Sequence, residues 1–480
     1  MKKFFVFFII GVMVLSTVLS GCGSADADRH KELTDSMNST YEELTSTFSG
    51  STGEYELVSE YLLSWASKND ITVTSNKASY MILNNPATDG CKSAETTTLQ
   101  CTIDTKNFSN SLQSLATSLA ALLGPLEHGD ITLIVTETNN GAFTGAKAVP
   151  TEYVKTDNFI NIKQNDDIEL YTSGAYSSTA SMSTEIIEAT PHYPFAYAIT
   201  MKISGYHDPF NQDDTDYPNP VEVIGNLLAS EKSSGQLFQL ASFECETVSG
   251  YVPTSATAVV VIDANDVSSF EKKFKSSYNS MKKKFEELED NFVYTFIETE
   301  MPEVVMASET SDNIISLMYT LKTGKYNKAE VESEEIEENK EENDSDKAKE
   351  IKSFALAEIS KVSTSDGQFK LSSTFRATDK EVLKELSEVY KTTSGLCDID
   401  YNNSKTKLTW PTKDNTELAT YFADTLGAEE TVFEYTMNSG ECDIFASKAP
   451  LNIISYQFNI HHGEAALSNI CNFIEGLTTK

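Results

Sequence analysis

Strands and helices alternate along the first third of this 480-residue chain, and this alternation constrains the fold more than any other feature. The strand-like run at residues 96–100, rich in β-branched threonine, and the largely apolar run at 131–136 predict strands. The segments at residues 54–68 and 109–123 carry apolar side chains at helical spacing, and Gly124 with Pro125 ends the second helix. We therefore predict a layered α/β domain.

The first of these strands continues into Leu-Gln-Cys-Thr-Ile-Asp at residues 99–104 and ends in a lone carboxylate. This stretch resembles the strand end Leu-Gln-Gly-His-Met-Asp of the aminoacyl-histidine (Xaa-His) dipeptidases, a branch of the aminoacylase-like two-zinc exopeptidases. The resemblance implies that Thr102 stands where a zinc-binding histidine is expected, whereas Asp104 is retained. A threonine hydroxyl is a poor ligand for zinc.

Further positions of the family follow in the same order along the chain. The matching stretches are Glu60–Leu62, Asn85–Thr88, Glu137–Asn140, Phe159–Lys163 and Glu441–Phe445. The resemblance implies that Asn139 and Asn140 replace the general base and a ligand glutamate. It also implies that Lys163 replaces a ligand aspartate, and that a ligand histidine falls near Glu464. An amide does not accept a proton from metal-bound water near neutral pH, and a cation at a ligand position repels a metal ion.

The resemblance also implies that the segment carrying the bridging aspartate of the two-metal site is missing after Asp104. We therefore predict no catalytic residue, no metal ligand and no cofactor, the zinc of the family being lost. The predicted function is a non-catalytic module that binds a peptide or another surface protein, and its predicted cleft contacts are His207, Arg376, His461 and His462. An exposed loop position is the alternative for His207.

Three other interpretations stay open at this point. The chain could be an active metallo-dipeptidase or aminoacylase-type hydrolase with altered ligands, drawn from Asp104, Glu137, His461 and His462. It could be a scaffold that partners an active relative. The third interpretation is a coincidental resemblance, in which Asn139 and Asn140 form an ordinary turn.

The resemblance implies a discontinuous zinc-exopeptidase-like domain, with a mixed sheet flanked by helices, at residues 54–188 and 395–480. An inserted α+β lid is expected at residues 189–394. The segment at residues 193–297 has the β-α-β-β-α-β order of a ferredoxin-like unit, and a second such half is expected up to about Ile399. An acidic loop at residues 330–350 has few apolar side chains and is predicted to be solvated.

The N-terminus predicts a bacterial lipoprotein signal at residues 1–21. Two lysines precede an apolar run, and Leu-Ser-Gly-Cys at residues 19–22 matches the lipoprotein cleavage box, which predicts lipidation of Cys22. An ordinary signal peptide or a helical anchor is the alternative. Residues 22–53 would form a tether and N-terminal segment. Acyl chains on Cys22 would hold the protein by membrane lipid at the extracytoplasmic face of the cell membrane.

Charge and cysteine content limit the partners and the cross-links. With 37 basic and 72 acidic residues the net charge is −35, which repels nucleic acid. Six cysteines follow Cys22, and an even number in an exported protein permits disulfides. Cys91 and Cys101 flank one short strand and are the simplest expected pair. The resemblance places Cys442 at a cysteine also present in cytosolic relatives, which favours a free thiol there.

Overall fold

The computed structural model describes a defined part of the chain, in two compact units. The described residues are 29, 31–51, 53–105, 107–138, 143–210, 217–248, 251–285, 292–321, 323–327, 354–426, 431–433 and 435–479. The predicted signal, Cys22, the pair Asn139 and Asn140, and the acidic loop at 330–350 lie outside them. Unit 1 holds the described residues up to Ser173 together with those in Trp410–Glu434 and Gly440–Lys480, and unit 2 holds those in Gly174–Thr409 and Tyr435–Ser439.

Unit 1 is built on a mixed sheet. Its strands, numbered along the whole chain, are β1 (Thr72–Lys77), β2 (Tyr80–Asn85), β3 (Thr97–Asp104), β4 (Ile131–Thr138), β5 (Asn158–Gln164), β6 (Glu169–Tyr171), β19 (Thr431–Phe433) and β20 (Ile453–Phe458). They are ordered β1-β2-β4-β3-β5-β20-β6-β19. The central strands β4, β3, β5 and β20 are parallel, β2 pairs antiparallel with β1 and β4, and β6 pairs antiparallel with β20 and parallel with β19. The carboxyl ends of the four central strands therefore meet at one edge.

Helices cover both faces of this sheet, which confirms the predicted fold class. The helices of unit 1 are α1 (31–47), α2 (Tyr55–Lys68), α3 (Phe108–Leu123), α4 (Thr144–Ala148), α9 (Thr416–Thr425), α10 (Glu441–Lys448) and α11 (Gly463–Gly476). On one face, Leu99 and Val135 pack in a core with Leu115 of α3 and Ile470 of α11. On the other face, a second core contains side chains of α4 and α10. Burial of these apolar faces drives the layering.

Unit 2 contains three antiparallel sheets, one of them the two-stranded pair of β8 and β13, and four helices among its described residues. The strands are β7 (Tyr176–Glu185), β8 (Glu188–Ala189), β9 (Phe195–Ile203), β10 (Phe238–Glu246), β11 (Ser255–Ile262), β12 (Phe292–Glu298), β13 (Val305–Met306), β14 (Gly324–Asn327), β15 (Phe354–Ser363), β16 (Gln368–Ala377), β17 (Asp400–Asn403) and β18 (Lys407–Leu408). The helices are α5 (Pro220–Ser233), α6 (Val267–Lys284), α7 (Ser308–Thr320) and α8 (Lys380–Leu396). The larger sheets are ordered β10-β11-β9-β12 and β14-β15-β16-β7-β17.

Both halves of unit 2 follow the β-α-β-β-α-β order of a ferredoxin-like unit. The first half runs β9-α5-β10-β11-α6-β12, and the second uses β7, α7, β15, β16, α8 and β17. The second half therefore takes its first strand from residues before the first half. The sequence analysis assigns residues 176–185 to the first domain, but β7 pairs with β16 at ten positions, from Gln368↔Glu185 to Ala377↔Tyr176. The predicted domain boundaries and the lid assignment stay predictions.

The pairing of Cys91 with Cys101, the simplest one that the sequence permits, does not occur, because all six described cysteines are free. Cys101 is fully buried in the core on the α3 face of the sheet, and burial raises the pKa of its thiol to about 12. Cys91 lies in the turn after β2, where its amide donates to the Thr88 carbonyl. Where the structure describes the chain, none of its helices combines the length and the apolar character that crossing a membrane requires.

Gly145 allows α4 to lie directly against the sheet. A Cβ atom here would meet the Ser79 carbonyl oxygen, and it would lie 2.5 Å from the Glu137 amide nitrogen. Both are backbone atoms, which cannot rotate away. We expect Gly145→Ala to lower the free energy of unfolding of unit 1 by about 1–3 kcal/mol. Gly476→Ala, at a glycine with open space around it, is the matched control and should be neutral.

Tryptophan fluorescence during urea denaturation measures this effect in unit 1, because both tryptophans, Trp65 and Trp410, lie there. An unchanged midpoint in Gly145→Ala would show that α4 shifts at no energetic cost.

Candidate functional site

On the face covered by α10, the parallel strands of unit 1 carry polar side chains near their carboxyl ends. Alternate residues of a strand share a face. In β4 this face carries Ile134 and then Thr136, and in β5 it carries Phe159 and then Asn161. In β20 Ser455 lies directly beside Asn161. The apolar half of the face therefore packs in a core, and the polar half converges at the edge where the strands end.

These side chains form one hydrogen-bonded network. The hydroxyls of Thr102 and Thr136 lie 3.0 Å apart, and Gln100 Nε2 donates to both, at 2.9 and 3.1 Å. Asn161 Nδ2 donates to Gln100 Oε1 at 2.5 Å, and Ser455 Oγ donates to Asn161 Oδ1 at 2.7 Å. All of these residues except Thr102 are buried. Because buried polar groups need partners, the network fixes these side chains in place.

An ion pair closes the network at the first residue of α10. The Glu441 carboxylate is only 2% exposed, and its Oε2 lies 2.6 Å from Lys163 Nζ. Its Oε1 accepts a hydrogen bond from the Thr102 hydroxyl at 2.8 Å. Burial alone would raise the pKa of Glu441, but the Lys163 ammonium and the hydrogen bonds hold that pKa below its usual value. Burial opposes the charge on Lys163, yet Glu441 raises the pKa of its ammonium.

The structure thus brings two of the predicted ligand positions, Thr102 and Lys163, to one carboxylate. Asp104 lies at the end of β3, where its Oδ2 accepts from Asn107 Nδ2 at 3.3 Å. Glu464 is exposed in the first turn of α11. Within the described ranges, no three histidine, cysteine, aspartate or glutamate side chains are grouped as a metal site would require. An ammonium, hydroxyls and amides do not fit two zinc ions.

The four predicted cleft contacts divide between the two units. His461 and His462 follow β20 in unit 1, in a short 3-10 turn. His461 is exposed, whereas His462 Nδ1 lies 2.7 Å from Asn459 Oδ1. The Asn459 side chain also accepts from the amides of both histidines, so it fixes the turn.

His207 and Arg376 lie in unit 2, and both are buried. His207 Nε2 lies 2.8 Å from the Ser204 carbonyl, and its ring stacks on Tyr217 with the centroids 3.2 Å apart. The alternative of an exposed loop histidine is therefore wrong. The Arg376 guanidinium donates to the Met437 carbonyl at 2.9 Å and lies 4.9 Å from the centroid of the Phe210 ring.

Unit 2 also contains a cavity of about 580 Å³ that the sequence analysis does not predict. Its lining mixes charged, polar and apolar side chains, and α5, α6, β14 and β15 contribute to it. Two carboxyls, Glu222 of α5 and Glu358 of β15, face the cavity. Burial raises the pKa of both, and the charge of Glu222 helps to raise the pKa of Glu358 to about 8, against a smaller lowering by Asn219.

The raised pKa of Glu358 predicts how the stability of unit 2 changes with pH. The folded chain holds this proton up to about pH 8, whereas the unfolded chain releases it near 4.5. The stabilising contribution is therefore complete below pH 4.5 and is lost as the pH rises towards 8. Glu358→Gln cannot ionise, so we expect it to be more stable than the wild type at pH 8, by on the order of 2 kcal/mol.

Scanning calorimetry of the full chain at pH 5, 6.5 and 8 measures this difference. Burial raises the pKa of Glu231, in the same unit, to about 7, and it contributes with the same sign. For that reason the contribution of Glu358 is read as the difference in stability between the variant and the wild type at each pH, and not from the pH profile of the wild type alone. Glu309→Gln, at an exposed position of α7, is the matched control. Parallel pH profiles for wild type and Glu358→Gln would contradict the prediction.

Solved structures that are similar to this chain include peptidases. An aminoacylhistidine dipeptidase from Vibrio alginolyticus is 16% identical, with 89% of this chain and 92% of that chain covered and a TM-score of 0.48. The aminopeptidase PepT from Bacillus cereus is 11% identical, with 93% and 99% covered and a TM-score of 0.41. A dinuclear metal-binding M20-family peptidase from Bacillus subtilis is 10% identical, with 94% and 98% covered and a TM-score of 0.35.

No family model matches the chain, and no curated protein matches it. An aminoacylhistidine dipeptidase, from the class that residues 99–104 resemble, is thus among the similar structures.

Proposed function

We propose that this chain is a lipid-anchored bacterial surface protein in which the two-metal site of a dipeptidase-like fold has been lost, and that it binds a peptide or another protein without hydrolysing it. The observation that carries the proposal is the ion pair between Lys163 and Glu441 at the carboxyl edge of the parallel strands. The resemblance places Lys163 at a zinc-ligand position. An ammonium there already neutralises the buried carboxylate.

Electrostatics decides between the ammonium and a metal ion. Two unit charges 4 Å apart at a protein surface interact by about 4 kcal/mol. A doubly charged zinc ion at that distance from the Lys163 ammonium would therefore meet a repulsion of about 8 kcal/mol. The Glu441 carboxylate is already paired with this ammonium, and Thr102 and the amides of Gln100 and Asn161 supply no further negative charge. The second zinc ion of a two-metal site would meet the same repulsion beside this network.

Zinc calorimetry on the full-length protein in detergent, together with an assay of Xaa-His dipeptides, tests the loss of the metal site. We expect neither stoichiometric zinc binding nor turnover. Lys163→Asp removes the cation and restores a carboxylate, so it should bind zinc more tightly than the wild type. Lys155→Asp, at an exposed lysine of the same unit, is the control. Stoichiometric zinc with turnover in the wild type would overturn the proposal.

One observation favours an active hydrolase as the second candidate. Burial raises the pKa of Glu137, which lies beside Ile103 in the pairing of β4 with β3 and one position before Thr138, the partner of Asp104. A carboxyl group with a raised pKa suits general acid–base catalysis. Under this alternative, Asp104→Ala and Glu137→Gln would each abolish a measurable dipeptidase activity. Because Glu137 pairs with Ile103 and Asp104 is the next residue of β3, the two side chains lie on opposite faces of the sheet, and activity that survives either change would exclude that residue as a catalytic group.

Lipidation of Cys22 is proposed from the cleavage box at residues 19–22. We expect Cys22→Ala to move the protein from the membrane fraction and to abolish incorporation of labelled palmitate, because the diacylated cysteine supplies the anchor. Cys91→Ala, at a partly exposed cysteine of unit 1, is the matched control and should stay in the membrane fraction. Retention of Cys22→Ala with full labelling would exclude this anchor.

A further inference from the structure

We propose that the cavity of unit 2 binds a small zwitterion, with its ammonium group between Glu222 and Glu358 and its carboxylate near Lys284 and Lys325. The inference rests on the proposed binding function for its biological role, but its geometry lies wholly within unit 2. Free amino acids and short peptides with unmodified ends have this chemistry. The ion pair between Lys163 and Glu441 lies in unit 1, apart from the residues that line this cavity.

The side of the cavity that carries the two glutamates is held rigidly. Glu358 Oε1 accepts a hydrogen bond from Asn219 Nδ2, and Asn219 is only 4% exposed. The same Nδ2 donates to the Ile359 carbonyl at 2.9 Å, and Asn219 Oδ1 accepts from the Val221 amide at 2.9 Å. With its orientation fixed in this way, Asn219 fixes Glu358. Glu222 faces the same space from the first turn of α5.

Burial raises the pKa of Glu222, against a lowering by Thr323 and Lys284, whereas burial and then repulsion by the Glu222 charge raise the pKa of Glu358. A ligand ammonium would remove the repulsion, since it attracts both carboxylates. A neutral ligand would gain nothing from it. The carboxyl pair therefore selects for a cationic group at this end of the cavity.

The two lysines are placed at the solvent side of the lining, since both are exposed. Lys284 Nζ lies 4.9 Å from the centroid of the Phe285 ring, and Lys325 Nζ lies 4.4 Å from the centroid of the Phe354 ring. Among the residues with described positions, neither ammonium has a carboxylate oxygen within 4.0 Å. They can accept a ligand carboxylate without first breaking an ion pair of the described chain.

Size and wall chemistry fit the same class of ligand. A volume of about 580 Å³ is that of a small-molecule site and holds a dipeptide with room for water. Val252, Met281 and Leu356 supply apolar wall to the same cavity. An apolar side chain between the two charged ends of the ligand would contact these walls. We therefore expect leucine-like side chains to bind better than polar ones.

Calorimetry on the full-length protein in detergent tests the inference with leucine, alanyl-leucine and leucyl-leucine as probes. At least one should bind with a stoichiometry of one. N-acetylation or C-terminal amidation of that probe should each weaken binding at least tenfold. Failure of all three probes to bind the folded wild type would overturn the inference. Equal binding of the amidated form would overturn the role of the lysines.

Variants locate the binding. Glu222→Gln and Glu358→Gln should each weaken the free peptide at least tenfold, because an amide cannot ionise in response to the ammonium. Lys325→Met should weaken the free peptide but not its amide, and Glu309→Gln should change nothing. If none of the cavity variants changes the affinity for the peptide, this site is wrong, but the proposed binding function stays intact. Zinc-dependent turnover would overturn that function, whereas cavity variants that weaken binding would still support the site.

Discussion

Replacing Lys163 by methionine is expected to lower the free energy of unfolding of unit 1 by about 3 kcal/mol at pH 7, because it leaves the Glu441 carboxylate buried without its cation. This is the lower end of the range for a broken buried pair, since the Lys163 side chain is 31% exposed and water can partly replace the ammonium. Urea denaturation followed by tryptophan fluorescence measures the change. Lys155→Met, at an exposed lysine, is the control.

The pH dependence gives an independent check on the same pair. The pKa of Glu441 is lowered in the folded chain, so its stabilising contribution is present above the unfolded value of 4.5 and is lost as the pH falls through the lower folded value. The difference between wild type and Lys163→Met should therefore shrink in acid. A double variant, Lys163→Met with Glu441→Leu, should recover most of the stability, since it buries no unpaired charge. A constant difference from pH 3 to 7 would contradict the ion-pair account.

Phe445→Ala is expected to destabilise unit 1 by about 3–5 kcal/mol, because it opens a cavity in the core between α10 and the sheet. Phe445 is fully buried, and its ring centroid lies 5.1 Å from that of Phe159. The same core contains Trp410, so the fluorescence of the folded protein should also change. Urea denaturation gives the energy.

Leu126→Ala, at a side chain of unit 1 that is 70% exposed, is the control, and we expect it to cost less than about 1 kcal/mol. Because α10 also carries Glu441, loosening of the helix in Phe445→Ala should weaken the ion pair with Lys163. Combining Phe445→Ala with Lys163→Met should then cost less than the sum of the two single changes. Strict additivity would show that the core and the ion pair act independently.

Much of the fold of unit 1 could be predicted from local patterns. The helix expected at residues 109–123 is α3 at Phe108–Leu123, and the strand expected at 131–136 is the main part of β4. These elements are specified by apolar spacing and by Gly124 with Pro125, which act within a few residues. The second half of unit 2 was harder to predict from the sequence, since its first strand, β7, pairs with residues almost two hundred positions later. Local patterns carry no information about such partners.

The site shows the same division. The sequence determined that Thr102 and Lys163 stand towards the ends of their strands and that Glu441 is retained, and it thereby indicated a chemistry different from that of a two-zinc site. Tertiary structure alone decided that the carboxylate of α10 meets the ammonium of β5, 278 residues earlier in the chain, and that Glu222 and Glu358 face one cavity. A side chain's type is set by its codon, whereas its charge partner is set by which strands and helices pack together, and that packing depends on burial across the whole unit.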